Sequence, residues 1–278
     1  MVYLTAFVTS WNRFPFRFKR FLQYLKNTKK NMKRLSLCLF PVLAAPFKGS
    51  YEETDPELTA GYFQGDMEVD FTRNGEISET RRWPNATVPY TISEEFDAPQ
   101  VAYIELAMEI IQRTSCIRFQ PATEEDENYV TVIPSFTGCS SKVGYQPGIR
   151  TVKLKPNKLD LGCFKLGTIQ HELLHTLGFH HQQCSPNRDE YVKIVEENIS
   201  EGHEKNFVKY EASEVEDFDQ VYDYGSILHY SSMAFSINGE PTIVALKPEG
   251  QPLMGQRLIM TETDVNRLNT MYKCPVQI

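Results

Sequence analysis

Apolar residues recur with regular spacing mainly between residues 87 and 177. Residues 87–92 alternate apolar and polar side chains, which predicts a strand. Residues 98–113 carry apolar side chains at helical spacing behind Asp97, a residue type that favours helix N-caps, so we predict a long amphipathic helix. Three shorter runs of β-forming residues follow, at 116–119, 129–133 and 151–154.

A second helix is predicted over residues 166–177, and the regular pattern fades after residue 181. Beyond that point we predict a helical stretch near residues 196–210, acidic loops, and a last helix over residues 262–271. These elements describe an α+β fold. Its N-terminal half contains strands and helices, its C-terminal half is rich in loops, and the second helix lies at the cleft between them.

The stretch HELLHTLGFHH, which begins at His171, matches the pattern H-E-x-x-H-x-x-G-x-x-H. On a helix, His171 and His175 leave the same face. Gly178 can adopt a positive φ and end the helix in a sharp turn, which brings His181 back toward them. Three neutral imidazoles then hold one Zn²⁺ and leave one position open for water, as in catalytic sites. Glu172 can take a proton from that water.

The alternative is a helix that carries histidines without binding a metal. A bare HExxH occurs by chance, but here the glycine and the third histidine also stand at the required offsets. Four of the six histidines of the chain lie within these eleven residues. His180 is out of register with the other three, so we expect it to be packed or solvated.

Charge divides the chain into two parts. Residues 1–50 hold 10 Lys and Arg and no Asp or Glu, so residues 51–278 hold 19 basic and 36 acidic residues, a net charge of −17. An acidic body argues against a nucleic-acid partner. The hydrophobic content of 41% is sufficient for a core.

The basic N-terminal region has the pattern of a targeting segment. MKR at residues 32–34 precedes an apolar run at 35–45, as in a secretory signal peptide, and we predict cleavage after Ala44. The run is too short to span a membrane. Three interpretations stay open for residues 1–31: translation begins at Met32, the signal is retained as an anchor, or the region is a mitochondrial transit peptide. The five cysteines and two glycosylation sequons downstream favour secretion.

Beyond the histidine motif, residues 60–274 resemble the astacin family of metzincins. The matching stretches are WPN with VPY at 83–90, CIRF at 116–119, GCSSKVG at 138–144, TIQ at 168–170, NRDEYV at 187–192, YDYGSILHY at 222–230, GQR at 255–257 and the final Cys274. The resemblance implies a zincin-like α+β catalytic domain. Its N-terminal half would hold a twisted, mostly parallel sheet and two long helices, and the zinc cleft would separate it from a loop-rich C-terminal half.

The resemblance also implies roles for residues outside the histidine motif. It implies two disulfides, Cys116–Cys274 and Cys139–Cys163. Tyr230 would be a fifth zinc ligand that leaves the metal when substrate binds and then donates to the oxyanion, where a donor stabilises developing charge. FQGD at residues 63–66 would be the pro-segment motif, in which Asp66 ligates zinc in place of water.

Three residues depart from the family pattern. Leu228 replaces the methionine beneath the zinc, a nearly isosteric change that we expect to cost less than about 1.5 kcal/mol. Gln182 replaces the glutamate that contacts the new N-terminus after activation, so that contact lacks a charge. Cys184 has no counterpart in the two-disulfide pattern. We expect a free thiol there, with an intermolecular bridge as the alternative.

These features predict a secreted, zinc-dependent endopeptidase made as a zymogen. We expect a basic extension with a signal peptide at 1–44, a pro-segment at 45–73 and a catalytic domain at 74–278, without an accessory module. A trypsin-like protease is expected to cleave between Arg73 and Asn74. The enzyme would bind one Zn²⁺ per chain, act on proteins or peptides as a monomer, and have neither a nucleic-acid partner nor a stable membrane span.

Two other functions compete with this prediction. An inactive secreted binding protein on a protease scaffold would normally lose Glu172 or a zinc-binding histidine, and this chain keeps them all. A protease restricted to a narrow set of substrates stays open, because specificity lies in loop geometry. Azocasein hydrolysis with and without a chelator separates an active protease from an inactive scaffold.

Overall fold

The computed structural model describes residues 55–69 and 79–275. The predicted signal peptide and the predicted cleavage site at Arg73–Asn74 lie outside these residues. The strands are β1 Met67–Glu68, β2 Thr87–Ile92, β3 Arg118–Pro121, β4 Tyr129–Pro134, β5 Ser140–Lys142, β6 Ile149–Leu154, β7 Val192–Ile194 and β8 Ile243–Ala245. The α-helices are α1 Ala98–Thr114, α2 Leu166–Thr176 and α3 Glu262–Met271.

Strands β1 to β6 form one sheet in the order β1-β5-β6-β4-β2-β3. Its pairings are parallel except between β5 and β6, which are antiparallel. Strand β1 comes from the predicted pro-segment and covers the edge of β5, with Met67 opposite Ser141 and Glu68 opposite Lys142. It thereby pairs backbone groups that an edge strand otherwise leaves open. The α+β fold with a mostly parallel sheet is confirmed.

Local capping and apolar spacing explain helix α1. The side chain of Asp97 accepts a hydrogen bond from the backbone of Gln100, and the Gln100 side chain accepts one from the backbone of Asp97. This capping box satisfies two donors that the first helical turn leaves unpaired. The buried positions recur every three or four residues and face the core, namely Tyr103, Ile104, Ala107, Met108 and Ile111.

Helix α2 lies in the centre of the domain. Every residue of the helix after Leu166 is buried, because it packs against α1 on one side and against β5 and β6 on another. A helix buried all round has no solvent-facing polar stripe, so its polar residues point into protein. The indole Nε1 of Trp83 donates to the Thr176 carbonyl at 2.9 Å and satisfies one acceptor at the end of the helix.

The C-terminal half is loop-rich, as predicted, but the predicted helical stretch at 196–210 is wrong. Only two short 3₁₀ turns occupy it, Glu196–Asn198 and Glu204–Phe207. Between them, Ile199 forms an antiparallel bridge with Ser236, and Gly202 has a φ of 84°. A long-range backbone pairing and a left-handed glycine both interrupt a helix. No helix in the described ranges is long and apolar enough to cross a membrane.

The five cysteines among the described residues form two disulfides and leave one thiol. The structure contains the two bonds that the resemblance implies, Cys116–Cys274 and Cys139–Cys163. The first closes a separation of 158 residues and ties the end of α3 to the end of α1. Cys184 is unpaired and fully buried, with its Sγ 3.5 Å from the Asn206 carbonyl oxygen. Burial raises the pKa of this thiol to about 12, which suppresses the reactive thiolate.

We therefore predict that Cys184 does not react in the native protein. In a chain that lacks residues 1–44, and with them Cys38, a thiol reagent such as Ellman's reagent should modify less than one thiol per chain before unfolding and one thiol per chain in denaturant. Cys184→Ser should leave the molecular mass on non-reducing electrophoresis unchanged. A covalent dimer that disappears in Cys184→Ser would show instead that the thiol bridges two chains.

Candidate metal centre

Three histidines converge at the end of helix α2. His171 and His175 project from one face of the helix, and the chain then turns at Gly178, whose φ is 105°. The turn returns His181 to the same place. The ring centroids lie 4.6 Å apart for His171 and His175, 4.7 Å for His175 and His181, and 5.3 Å for His171 and His181. All three side chains are buried.

Backbone carbonyls fix the tautomers of two of these rings. Nδ1 of His171 donates to the Ile227 carbonyl and Nδ1 of His175 donates to the Phe179 carbonyl, each at 2.7 Å. A neutral imidazole has one N–H, so the Nε2 atom of each ring carries a lone pair. The two Nε2 atoms are 3.0 Å apart. Two lone pairs at this distance repel each other unless a cation lies near both.

Asp66 of the predicted pro-segment completes the cluster. Its Oδ2 lies 3.0 Å from Nε2 of His171, and its Oδ1 lies 3.3 Å from Nε2 of His181 and 3.7 Å from Nε2 of His175. One ligand atom from each of the four residues lies within 4.8 Å of the others. Oδ1 of Asp66 and Nε2 of His181 are buried and make no hydrogen bond within the part of the chain that the structure describes. A cation bound by all four residues satisfies both atoms.

The protonation states also fit a metal cation. Burial lowers the pKa of His181 to about 3 and also lowers that of His171, so both imidazoles are neutral near pH 7. Burial opposes ionisation of Asp66, but positive charge at the histidine cluster, carried by protons or by a bound cation, holds the pKa of this carboxyl well below the usual value. Three imidazole nitrogens and one carboxylate form a set of four ligands that suits Zn²⁺.

Tyr230 lies beside the cluster and is held by the predicted pro-segment. Its ring centroid is 4.7 Å from that of His181, and its hydroxyl donates to the Gln64 carbonyl at 2.6 Å. The side chain of Gln64 accepts from Nδ1 of His181 at 3.2 Å. Burial, and then the nearby carboxylate of Asp66, raises the pKa of Tyr230, so it keeps its proton.

Glu172 is fully buried next to the histidines. Its Oε2 accepts from the Ser141 hydroxyl at 2.7 Å, and its Oε1 has no hydrogen-bond partner among the described residues. Burial raises the pKa of Glu172 well above its usual value, and the Asp66 carboxylate raises it further. Without the Asp66 carboxylate, the pKa of Glu172 would be raised less.

The turn below the cluster is held by the N-terminus of helix α3. The Asp264 carboxylate accepts from the Ser226 hydroxyl at 2.6 Å and from the Ile227 backbone at 3.0 Å. This places the Ile227 carbonyl where His171 binds it. Leu228, which stands at the position of the family methionine, is 5% exposed and joins the hydrophobic core.

The other two residues singled out beside the motif lie outside the cluster. The side-chain oxygen of Gln182 accepts a hydrogen bond from the Arg267 guanidinium. His180 contacts Tyr210, with the Tyr210 hydroxyl 3.0 Å from its Nδ1. His180 is therefore packed, as predicted.

The predicted pro-segment is also anchored by ion pairs that the sequence did not reveal. Oε1 of Glu57 lies 2.8 Å from Nε of Arg257, and both side chains are buried. Glu68 pairs with Lys153 at 3.0 Å and accepts from the Ser140 hydroxyl. No sequence signal distinguishes Glu57 from the other acids of this region, because its partner lies 200 residues away.

The comparison with known families agrees with this geometry. The model of the Astacin peptidase family matches residues 75–273. The chain belongs to the astacin family. It is a zinc metalloendopeptidase, and the His₃ and Asp66 cluster is its potential zinc site.

Relatives cover most of the chain. Seminal metalloprotease 1 of Drosophila melanogaster is 47% identical over 80% of this chain and 90% of its own length. Zinc metalloproteinase nas-4 of Caenorhabditis elegans is 36% identical over 83% of this chain and 71% of its own. Among solved structures, high choriolytic enzyme 1, a hatching enzyme zinc-protease of Oryzias latipes, matches with a TM-score of 0.63 and 36% identity. That match covers 70% of this chain and 94% of the hatching enzyme.

The turn at Gly178 supplies a test of how the site is built. A Cβ at this position would lie 2.8 Å from Cε of Met271, in addition to the strain of a positive φ. We predict that Gly178→Ala weakens zinc binding about tenfold, because it displaces His181. The measurement is chelator competition with zinc quantified at equilibrium.

Gly202→Ala is the matched control, since Gly202 has a φ of 84° and nothing within 4 Å of the added Cβ. Both variants should lose about 1 kcal/mol of unfolding free energy from backbone strain. Only Gly178→Ala should lose zinc affinity. An equal loss in both variants would mean that the turn does not determine zinc affinity.

Proposed function

We propose that this zinc metalloendopeptidase is secreted, is made as a zymogen, and uses Glu172 as its general base. The observation that carries the proposal is the position of Asp66, a buried carboxylate from outside the catalytic domain, against the three histidines. It fills the place that water takes in an open catalytic zinc site. The segment that carries Asp66 also binds the Tyr230 hydroxyl through the Gln64 carbonyl. One segment therefore occupies both the zinc site and the tyrosine that would bind the oxyanion.

For the active enzyme we propose the following roles. His171, His175 and His181 would hold zinc through their Nε2 atoms. Zinc, when bound, polarises the scissile carbonyl and lowers the pKa of a bound water to about 7. Glu172 accepts a proton from the attacking water and passes it to the leaving amine. Tyr230, released from the Gln64 carbonyl, donates its hydroxyl proton as a hydrogen bond to the oxyanion.

The proposed activation removes residues 45–73. A trypsin-like protease would cleave after Arg73 and release a monomeric catalytic domain that begins at Asn74. The signal peptide at residues 1–44 would direct the chain to secretion, and the two disulfides support an oxidising compartment. N-terminal sequencing of the active enzyme identifies the bond that is cut.

Replacement of Glu172 tests the catalytic assignment. Glu172→Ala should retain one zinc per chain. Its turnover rate should fall roughly 10²–10⁴-fold, which is the usual contribution of a general base. Azocasein hydrolysis by the activated enzyme and elemental analysis give the two readings. Near wild-type turnover in Glu172→Ala would refute the assignment. Zinc loss would make Glu172 a structural residue.

Replacement of Asp66 tests the zymogen. Asp66→Ala and Asp66→Asn should give proenzymes that cleave azocasein, because the fourth zinc position then admits water. Glu68→Gln is the matched control, since Glu68 anchors the same segment outside the zinc cluster. The Glu68→Gln proenzyme should not cleave azocasein. Mass spectrometry must show each chain still uncut. An uncut Asp66→Ala proenzyme that does not cleave azocasein would contradict inhibition by this carboxylate.

A further inference from the structure

Ser141, in strand β5, contacts Glu172 in two places. Its Oγ lies 2.7 Å from Oε2 of the carboxylate and 2.8 Å from the main-chain oxygen of the same residue. Ser141 is fully buried. The carboxylate makes no other hydrogen bond to the described chain, because Oε1 has no partner. The Ser141 hydroxyl therefore orients the Glu172 side chain, for which we propose the role of general base.

A serine hydroxyl carries one hydrogen, so it donates to one of these acceptors at a time. With an ionised Glu172, the Ser141 hydrogen points to Oε2. A proton taken from the attacking water arrives on Oε1, which has no hydrogen-bond partner among the described residues, while the Ser141 hydrogen stays on Oε2. The hydroxyl therefore holds the carboxylate in one orientation while Oε1 accepts the proton and passes it on.

Three contacts hold the backbone around Ser141, and the two that do not involve residues 45–73 would remain after the proposed activation. Its N–H donates to the Asp66 carbonyl at 2.9 Å, so its main chain faces the segment that fills the cleft, and its side chain faces Glu172. Ser141 also pairs with Val152 of β6. Two residues earlier, the disulfide from Cys139 to Cys163 ties β5 to the chain that leads into α2. Groups held on rigid elements keep a productive geometry.

We propose that Ser141 is a positioning residue that holds the Glu172 carboxylate by its Oε2 atom and leaves Oε1 free for the attacking water. This inference rests on the proposed role of Glu172. The proposed role distinguishes Ser141 from Thr176, because the Thr176 hydroxyl donates only to the Glu172 main-chain oxygen, at 3.2 Å. Thr176 therefore reproduces one of the two contacts of Ser141 and provides the matched control.

The first experiment compares Ser141→Ala with Thr176→Val in the activated enzyme. Ser141→Ala should lower kcat about 10–100-fold, as is typical when a supporting hydrogen bond at a metal site is removed. KM should stay within about twofold and zinc should stay at one per chain. A crystal structure should show the carboxylate rotated from its place. Thr176→Val should keep wild-type kcat.

Wild-type kcat in Ser141→Ala, an equal loss of kcat in Thr176→Val, or an unmoved carboxylate would each overturn the proposal. Loss of zinc or a large rise in KM in Ser141→Ala would also overturn it, because it would indicate a structural role. These outcomes differ from failure of the general-base assignment, which Glu172→Ala tests separately.

The second experiment is a double-mutant cycle with Glu172→Asp, which shortens the side chain by one methylene and withdraws it from Ser141. If Ser141 acts through the carboxylate, adding Ser141→Ala to the Glu172→Asp variant should lower kcat by less than about twofold further. Independent residues multiply their effects instead. A full loss of about 10–100-fold in both backgrounds would show that Ser141 acts elsewhere.

Discussion

The convergence of four electron-pair donors on one buried point is the constraint on which this structure depends. Three imidazole nitrogens and a carboxylate face one another without hydrogen bonds that could satisfy all of them. Such an arrangement is costly unless a cation binds there. Around it, the fold supplies carbonyls that orient two rings, a glycine turn that returns the third, and the carboxylate of Asp264, which holds the turn beneath.

The fold could be predicted where the signal is local. Asp97 marks the start of α1 because its capping box needs only the next three residues, and the apolar spacing of α2 is visible in eleven residues. Strand β5 has three residues, too few for an alternation pattern. The predicted helix at 196–210 failed because the bridge from Ile199 to Ser236 depends on a partner far along the chain.

The candidate site shows the same division. The histidine motif specifies its own geometry, since helix pitch and one glycine determine where the three rings meet. The pairing of Glu57 with Arg257 and the contact of Ser141 with Glu172 join distant segments through ordinary residue types. No spacing rule relates such residues before the fold is known.

The pairing of β1 with β5 has a consequence for folding. Residues 55–69 contribute a strand, a buried ion pair and a candidate metal ligand to the described structure. If activation removes them, the polypeptide that folds and the polypeptide that works are chemically different. The working form would then lack these contacts, and if it cannot refold without them, its lifetime is set by the height of its unfolding barrier rather than by a reversible equilibrium.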